Sequence, residues 1–115
     1  MPPYSVSPAV RTRVARSVLT KNLLVKPGER VTVEAWTHTL PWAVTFAREA
    51  RRLGAQVLVP YEDERAYWQA VDSGEGARLG KVAAHEFAAL GKTDVYLHMW
   101  GPGDRVRLNA LKPAL

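Results

Sequence analysis

Apolar residues in the first third of the chain follow two different periods. Val10, Val14 and Val18 recur every four residues, which predicts an amphipathic helix over residues 9–24. Residues 30–36 instead alternate between apolar and polar side chains and are rich in β-branched residues, a pattern typical of a strand with one apolar face. A Pro-Gly pair between the two segments favours a turn. The chain is therefore expected to begin with a helix, a turn and a strand.

The two periods go on alternating towards the carboxyl end. The pattern predicts a second helix over 41–53, which Gly54 ends. It then predicts a continuously apolar strand over 56–60, of the kind that is covered on both faces of a parallel sheet. The remaining predicted elements are helices over 65–71 and 77–90, a strand over 94–100 and a short helix over 105–111.

Strands that alternate with helices are joined by right-handed crossovers and pair in parallel. The predicted fold class is therefore α/β, a small three-layer Rossmann-like domain with a short, mainly parallel sheet of three or more strands. We expect residues 1–115 to form one such domain, which is complete in itself or is the amino-terminal part of a longer chain. A sheet this small exposes two edge strands, so we also expect the chain to self-associate.

Composition and charge narrow the class of protein. The 115 residues include no cysteine, which excludes disulfides, thiolate metal sites and cysteine catalysis. No apolar run approaches the length of about 18 residues that a membrane span needs, so we expect no membrane association and a cytoplasmic location. The 16 basic residues exceed the 11 acidic ones, but those of the first half fall mainly on predicted helices, where solvated Lys and Arg are ordinary. A nucleic-acid-binding function is therefore disfavoured.

Candidate functional residues lie where the predicted strands end, because ligand sites in parallel sheets form beyond the carboxyl ends of the strands. His38, Glu62, Asp63 and Trp100 follow or end the three predicted strands, and we call them the candidate strand-end rim. A second interpretation of Asp63 stays open, since an acidic residue in the first turn of a helix also stabilises the helix dipole. The rim fits a small-ligand or protein-binding module.

Sequence motifs for catalysis or cofactor binding are absent. Neither GxGxxG nor GxxxxGK[ST] occurs, so no glycine-rich loop is available to bind the phosphates of a nucleotide. His38, His85 and His98 lack the i, i+4 spacing of a zinc-binding helix. We expect His85 on an exposed helix face and His98 beneath a helix, satisfied by one hydrogen bond. No catalytic residue, metal ligand or cofactor is therefore predicted in this chain.

Several segments together resemble one known family. They are Asn22–Val25, the turn and strand of Lys26–Val33, the Ala-rich helix Ala43–Ala50, Leu53–Val57, Gly91–Leu97, and Gly101-Pro102 with Leu108–Leu111. In this order they are similar to the amino-terminal domain of the thermophilic metallo-aminopeptidases, the aminopeptidase T and aminopeptidase S type that is also called leucyl aminopeptidase.

The resemblance implies that the chain is the non-catalytic amino-terminal domain of a metal-dependent aminopeptidase, which releases amino-terminal residues from peptides. Family members bind two divalent metal ions in a carboxyl-terminal domain, so the chain alone is expected to be inactive. The expected partner is that peptidase domain or a second copy of the chain, as in a dimer. The alternatives are a stand-alone small-ligand or protein-binding α/β module and, less favoured, a basic nucleic-acid-binding domain.

Overall fold

The computed structural model describes residues 6–79, 83–99 and 103. Helices and strands alternate along this part of the chain, and a π-helical turn, Val18–Asn22, continues the first helix. The elements are α1 (Pro8–Ser17), β1 (Arg30–Trp36), α2 (Leu40–Arg52), β2 (Gln56–Leu58), β3 (Tyr61–Glu62), α3 (Glu64–Asp72), α4 (Gly76–Leu79), α5 (Ala84–Gly91) and β4 (Val95–His98). The predicted strand end at Trp100 and the predicted helix over 105–111 lie outside the described residues.

β1 is the central strand of a parallel sheet and pairs with each of the three other strands. The same residues near the start of β1 pair with both β2 and β4, so these two strands lie on opposite edges of β1. The Gln56 N–H donates to the Glu29 carbonyl and the Ala35 N–H donates to the Pro60 carbonyl. Because backbone groups alternate between the two edges of a strand, both bonds lie on one edge, and β3 extends the edge that β2 begins.

This parallel sheet, with helices on both sides, confirms the predicted α/β fold class. The crossover from β1 through α2 to β2 and the crossover from β3 through α3, α4 and α5 to β4 lead to opposite edges of β1. Because both crossovers of such a sheet are right-handed, their helices lie on opposite faces.

One face of the sheet, which we call the α1/α2 face, carries the core of the protein. Val31, Val33 and Ala35 of β1 are buried there beneath α1 and α2. The other buried members of this core are Ala15, Leu19, Val25, Ala43, Phe46, Ala50 and Ala55. The apolar stripe predicted for α2 packs as expected, with Phe46 and Ala50 buried. On the first helix and its π-helical turn, the buried side chains are Ala15 and Leu19, whereas Val14 of the predicted apolar repeat is 40% exposed.

The opposite side of the sheet, which we call the α3/α5 face, is covered less closely. It is formed by Thr32, Glu34 and Trp36, which alternate with the core residues along β1. The aromatic rings of Trp36 and Tyr67 lie 5.1 Å apart in an edge-to-face contact, and this contact anchors α3. No residue of α5 is buried, and Phe87 is 72% exposed. The helix α5 therefore covers its part of the sheet only loosely.

Two sequence predictions for this region are wrong. The helix predicted over 77–90 is divided into α4 and α5, because Ala83 adopts an extended backbone conformation (φ −68°, ψ 148°) immediately before α5. The strand predicted over 56–60 ends at Leu58, and the Leu58 side chain is 52% exposed instead of being covered on both faces. A cavity of about 250 Å³ separates this edge strand from the end of α5, which explains the exposure.

Two tight turns lead into β1 and β2 and lie against each other. Gly28 (φ +82°) and Gly54 (φ +89°) both adopt the left-handed backbone conformation, which glycine reaches without a steric cost. The Gly28 N–H donates to the Gly54 carbonyl at 2.9 Å, and a Cβ placed on Gly54 would lie 3.1 Å from the Pro27 Cβ. Direct contact between the turns therefore helps to fix the relative position of the two strands.

Candidate functional site at the strand ends

Thr37 ties together the carboxyl ends of β1 and β3. It begins a 3₁₀ turn, Thr37–Thr39, directly after β1. The Thr37 hydroxyl accepts a hydrogen bond from the Glu64 N–H at 2.7 Å and lies 3.3 Å from the Tyr61 hydroxyl. Since β1 and β3 are parallel, their ends meet on the same side of the molecule, and the Thr37 contacts hold them there. The sequence analysis missed Thr37, because its partners lie more than twenty residues away along the chain.

Asp63 of the predicted rim acts as the N-cap of α3. Its carboxylate accepts the Arg65 N–H at 2.9 Å and binds the Arg65 guanidinium at 2.9 and 3.1 Å. The Tyr61 hydroxyl donates to it at 3.3 Å. The bond from the Arg65 guanidinium, followed by the bond from the Arg65 N–H, holds the pKa of Asp63 well below its ordinary value. The second interpretation of Asp63, as a residue that stabilises the start of a helix, is therefore confirmed.

His38 lies at the rim as predicted, beside Glu64, which the sequence analysis did not select. The His38 Nδ1 lies 4.0 Å from the Glu64 Oε1, so the two form an ion pair when the imidazole is protonated. Glu64 also accepts a hydrogen bond from the Gly103 N–H. A Cβ on Gly103 would lie 3.3 Å from the His38 ring and 3.4 Å from the Glu64 carboxylate. A side chain at position 103 would therefore be in tight contact with both side chains, which would have to shift slightly to make room for it.

Glu62 lies apart from His38 and Asp63. It is the register partner of Trp36 across the β1–β3 pair, and partners in a parallel pair extend to the same face of the sheet. Glu62 is therefore on the α3/α5 face, whereas Asp63 follows it beyond the strand. Burial, and then the negative charges of Asp63 and Glu86, raise the pKa of Glu62 above its ordinary value. Trp100, the fourth predicted rim residue, lies outside the described residues.

A second polar cluster lies on the α3/α5 face and was not predicted. The Tyr96 hydroxyl donates to the Glu34 carboxylate, and the His98 Nδ1 lies 3.5 Å from both the Glu34 Oε1 and the Tyr96 hydroxyl. Burial, then the bond to Glu34, raises the pKa of Tyr96 to about 12. The register pair of Glu34 with His98 produces this cluster.

All three histidines have exposed positions. His98 is exposed on the sheet surface and contacts both Glu34 and Tyr96, so the prediction that it lies beneath a helix is wrong. The reason is that α5 covers little of β4. His85 is exposed on α5, as predicted.

The described residues define the chemistry that each group of side chains supports. At the rim, an imidazole and a carboxylate stand 4.0 Å apart, an arrangement whose groups can donate and accept hydrogen bonds. Across residues 6–79, 83–99 and 103, no three His, Cys, Asp or Glu side chains are grouped so as to hold a metal ion. No helix in the same part of the chain is long and apolar enough to cross a membrane.

The cavity between β2 and α5 lies at the other end of the strands from the rim. Arg30, Thr32 and Lys92 contribute polar groups to it, and Leu58 contributes apolar surface. The polar groups already bind neighbours: the Arg30 guanidinium pairs with the Asp94 carboxylate at 3.2 Å, and the Thr32 hydroxyl with that of Thr93. The cavity is therefore a gap in the covering of the sheet, and the rim remains the candidate site.

No model of a known protein family matches the chain, and no curated protein sequence matches it.

Proposed function

We propose that the chain is the non-catalytic amino-terminal domain of a metal-dependent aminopeptidase that releases amino-terminal residues from peptides. One observation carries this proposal: two of the segments that resemble the family pack against each other. Lys26–Val33 forms the turn and first half of the central strand, and Leu53–Val57 forms the turn and start of its neighbour. The two turns touch through Pro27 and Gly54. The resemblance therefore covers residues that pack together, which supports a shared fold.

In such an enzyme the domain has a structural role. The two divalent metal ions and the water that they activate belong to the carboxyl-terminal peptidase domain. The rim of the present chain is braced by its own hydrogen bonds, from Glu64 to Thr37 and from Arg65 to Asp63. A surface held in this way forms a rigid wall, which suits a domain that shapes and shields the peptidase cavity. A cytoplasmic location and a dimeric enzyme belong to the same proposal.

The decisive experiment identifies the polypeptide that contains this domain in its native source. Antibodies raised against the purified chain should recognise a polypeptide much larger than 12.8 kDa, and should remove metal-dependent hydrolysis of aminoacyl anilides from the extract. The purified chain itself should show no hydrolysis with cobalt, zinc or magnesium, since the metal ligands of the family lie in the other domain. A native product of 12.8 kDa whose removal leaves the peptidase activity in the extract contradicts the proposal.

The contact of His38 with Glu64 and Gly103 favours a second candidate function, a stand-alone module that binds a small ligand or a protein at the rim. Here the imidazole and the carboxylate would contact the ligand directly. If this function is correct, a ligand found by thermal-shift screening loses affinity in His38→Ala, while Lys21→Ala, on the exposed π-helical turn, binds normally. If the chain is instead the amino-terminal domain of an aminopeptidase, the same screen of the isolated chain should find no such ligand.

A further inference from the structure

The described residues on the two sides of the sheet carry opposite charge. The helices α1 and α2 contain six arginines and one acidic residue, Glu49. On the other side, the described segment from β3 through α5 contains six acidic residues and two arginines, which are Glu62, Asp63, Glu64, Asp72, Glu75, Glu86, Arg65 and Arg78. The described parts of the two sides therefore differ in formal charge by nine units, from +5 to −4.

The positive side keeps its charge exposed, although it contains a buried carboxylate. Glu49 is only 3% exposed and binds the Arg16 Nε at 2.5 Å, the Arg48 Nε at 3.3 Å and the Arg52 guanidinium at 3.9 Å. One carboxylate thus faces three guanidinium groups, each more than half exposed. Arg51 is also exposed on α2. We call the exposed stripe of α2 that contains Val44, Arg48, Arg51 and Arg52 the basic stripe.

The basic stripe also exposes an apolar side chain. Val44 is 53% exposed and lies one helical turn before Arg48, so the two share one side of α2. Such a combination of an apolar contact and flanking guanidinium groups suits a partner that has an apolar centre and carboxylates around it.

The negatively charged side of the sheet has an apolar centre with carboxylates around it. Phe87 and Leu90 are exposed on α5, and the neighbouring Glu86 is exposed as well. Among the residues that the structure describes, neither Glu86 nor Glu62 has an ion-pair partner, while their mutual repulsion contributes to the raised pKa of Glu62. We call Glu62, Glu86, Phe87 and Leu90 the acidic patch. A cation brought close to this patch would relieve the repulsion.

Charge also restricts the geometry with which two copies of the chain can meet. The acidic patch and the basic stripe lie on opposite faces of the sheet, so a two-fold contact centred on either surface would bring two acidic patches, or two basic stripes, together. Like charges in an interface oppose association. A contact between the acidic patch of one copy and the basic stripe of another instead pairs opposite charges and brings Phe87 near Val44.

We propose that copies of this chain associate head to tail, with the acidic patch of one copy bound to the basic stripe of the next. The partner is a second copy of the chain, and His38 and Asp63 of the strand-end rim stay free of the contact. Head-to-tail contacts build rings or open chains instead of closed two-fold dimers. Because the contact depends on exposed charges, salt weakens it. This inference does not rest on the proposed peptidase function.

Sedimentation velocity across the micromolar range tests the proposal with two variants that change only exposed residues. Glu86→Lys/Phe87→Ser disables the acidic patch, and Val44→Ser/Arg51→Glu disables the basic stripe. The wild-type chain should show a mass that rises with concentration and falls at high salt, whereas each variant alone should remain a 12.8 kDa monomer. An equimolar mixture of the two variants should associate again, since each contributes one intact surface.

Matched controls carry the same charge changes elsewhere. Glu75→Lys and Lys21→Glu change exposed residues outside both surfaces and should assemble like the wild type, and thermal unfolding should show that all variants remain folded. A strictly monomeric wild type overturns the proposal. Assembly of the basic-stripe variant on its own does so too, because it would reveal a two-fold contact through the α3/α5 face.

Discussion

The helices on the α1/α2 face pack closely against the central strand, whereas the helices on the α3/α5 face pack against it loosely. On the first face, Val31 and Val33 are almost fully buried under two helices. On the second face, Glu34 and Tyr96 remain partly or largely open to solvent and α5 buries no residue. The difference follows from the side chains that the sheet offers, since β-branched apolar residues bury favourably and a carboxylate does not. Most of the folding energy therefore comes from one side of the sheet.

The largest effect on stability is expected when two leucines, one from each face, are compared. Leu19 is fully buried on the α1/α2 face, while Leu90 is substantially exposed on α5. Leu19→Ala removes buried apolar contacts and should lower the free energy of unfolding by about 3 kcal/mol. Leu90→Ala should lower it by less than about 1 kcal/mol. Urea denaturation measures both values, and equal losses would show that α5 packs as closely as α1.

Replacement of the buried carboxylate of the α1/α2 face should have the next largest effect. Glu49→Gln removes the charge that faces three guanidinium groups, and because those groups are exposed, we expect a loss of about 1–2 kcal/mol. Urea denaturation at neutral pH gives this value, and Glu75→Gln at an exposed position is the control, with no significant change expected.

The pH dependence of this loss has a definite sign. The bond from Arg16, followed by the bond from Arg48, holds the pKa of Glu49 below its ordinary value against the opposing effect of burial. The stabilisation is therefore present above the ordinary carboxyl pKa and disappears as the pH falls towards the lower pKa of the folded protein. The wild type and Glu49→Gln should thus converge in stability at acidic pH, and a gap that widens on acidification would contradict this account.

A hydroxyl pair tests how firmly the α3/α5 face is held. Thr32 is buried and its hydroxyl lies 2.7 Å from that of Thr93, which in turn donates to the Ala89 carbonyl at the end of α5. Thr32→Val should lower the free energy of unfolding by about 1 kcal/mol, because it leaves the Thr93 hydroxyl with one hydrogen-bond partner fewer. A double-mutant cycle with Thr93→Val, followed by urea denaturation, should give a coupling of about 0.5 kcal/mol or more. Strict additivity would mean that this bond does not tie α5 to the sheet.

The smallest effect should be a gain in stability. Burial and the charges of Asp63 and Glu86 raise the pKa of Glu62, so the folded protein disfavours its ionised form. Glu62→Gln should stabilise the fold by about 0.3 kcal/mol at neutral pH, and the gain should vanish as the pH falls below the ordinary carboxyl pKa. Thermal unfolding at both pH values measures it. A loss of stability at neutral pH would indicate that Glu62 has a favourable partner.

Local pattern was sufficient to predict the closely packed side of the fold. The alternation of Val31, Val33 and Ala35 predicted β1 with the bounds that it has in the structure, because a strand buried on one face must alternate. The N-cap of α1 is equally local, since the Ser7 hydroxyl accepts the Val10 N–H at 3.3 Å. In both cases the residues that determine the structure are neighbours in the sequence.

The loosely packed side was harder to predict, because its structure depends on contacts between distant segments. The two-residue strand β3 is too short to produce a pattern and exists only because the end of β1 extends past β2. In the apolar helix α5, the sequence indicates a buried face, yet the sheet beneath it offers Glu34 and Tyr96 instead of aliphatic side chains. Its exposure could therefore be found only from the strand register.

The candidate site was predicted in part for the same reason. The carboxyl ends of parallel strands brought His38 and Asp63 to one rim, as the topology requires. Glu62 is adjacent to Asp63 in sequence but belongs to β3, so its side chain follows the strand to the other face. Thr37 and Glu64, which brace the rim, become recognisable only once the two strands are placed side by side.

The contact between Pro27 and Gly54 has a consequence for the evolution of this domain. A side chain at position 54 would need the space that the Pro27 ring occupies, and it would also have to adopt a positive φ. The nearest atoms are the Cβ and Cα of Pro27, and every residue except glycine has both, so replacement of Pro27 alone would not make room for a side chain at position 54. Homologous sequences should therefore keep glycine at position 54 whichever residue occupies position 27.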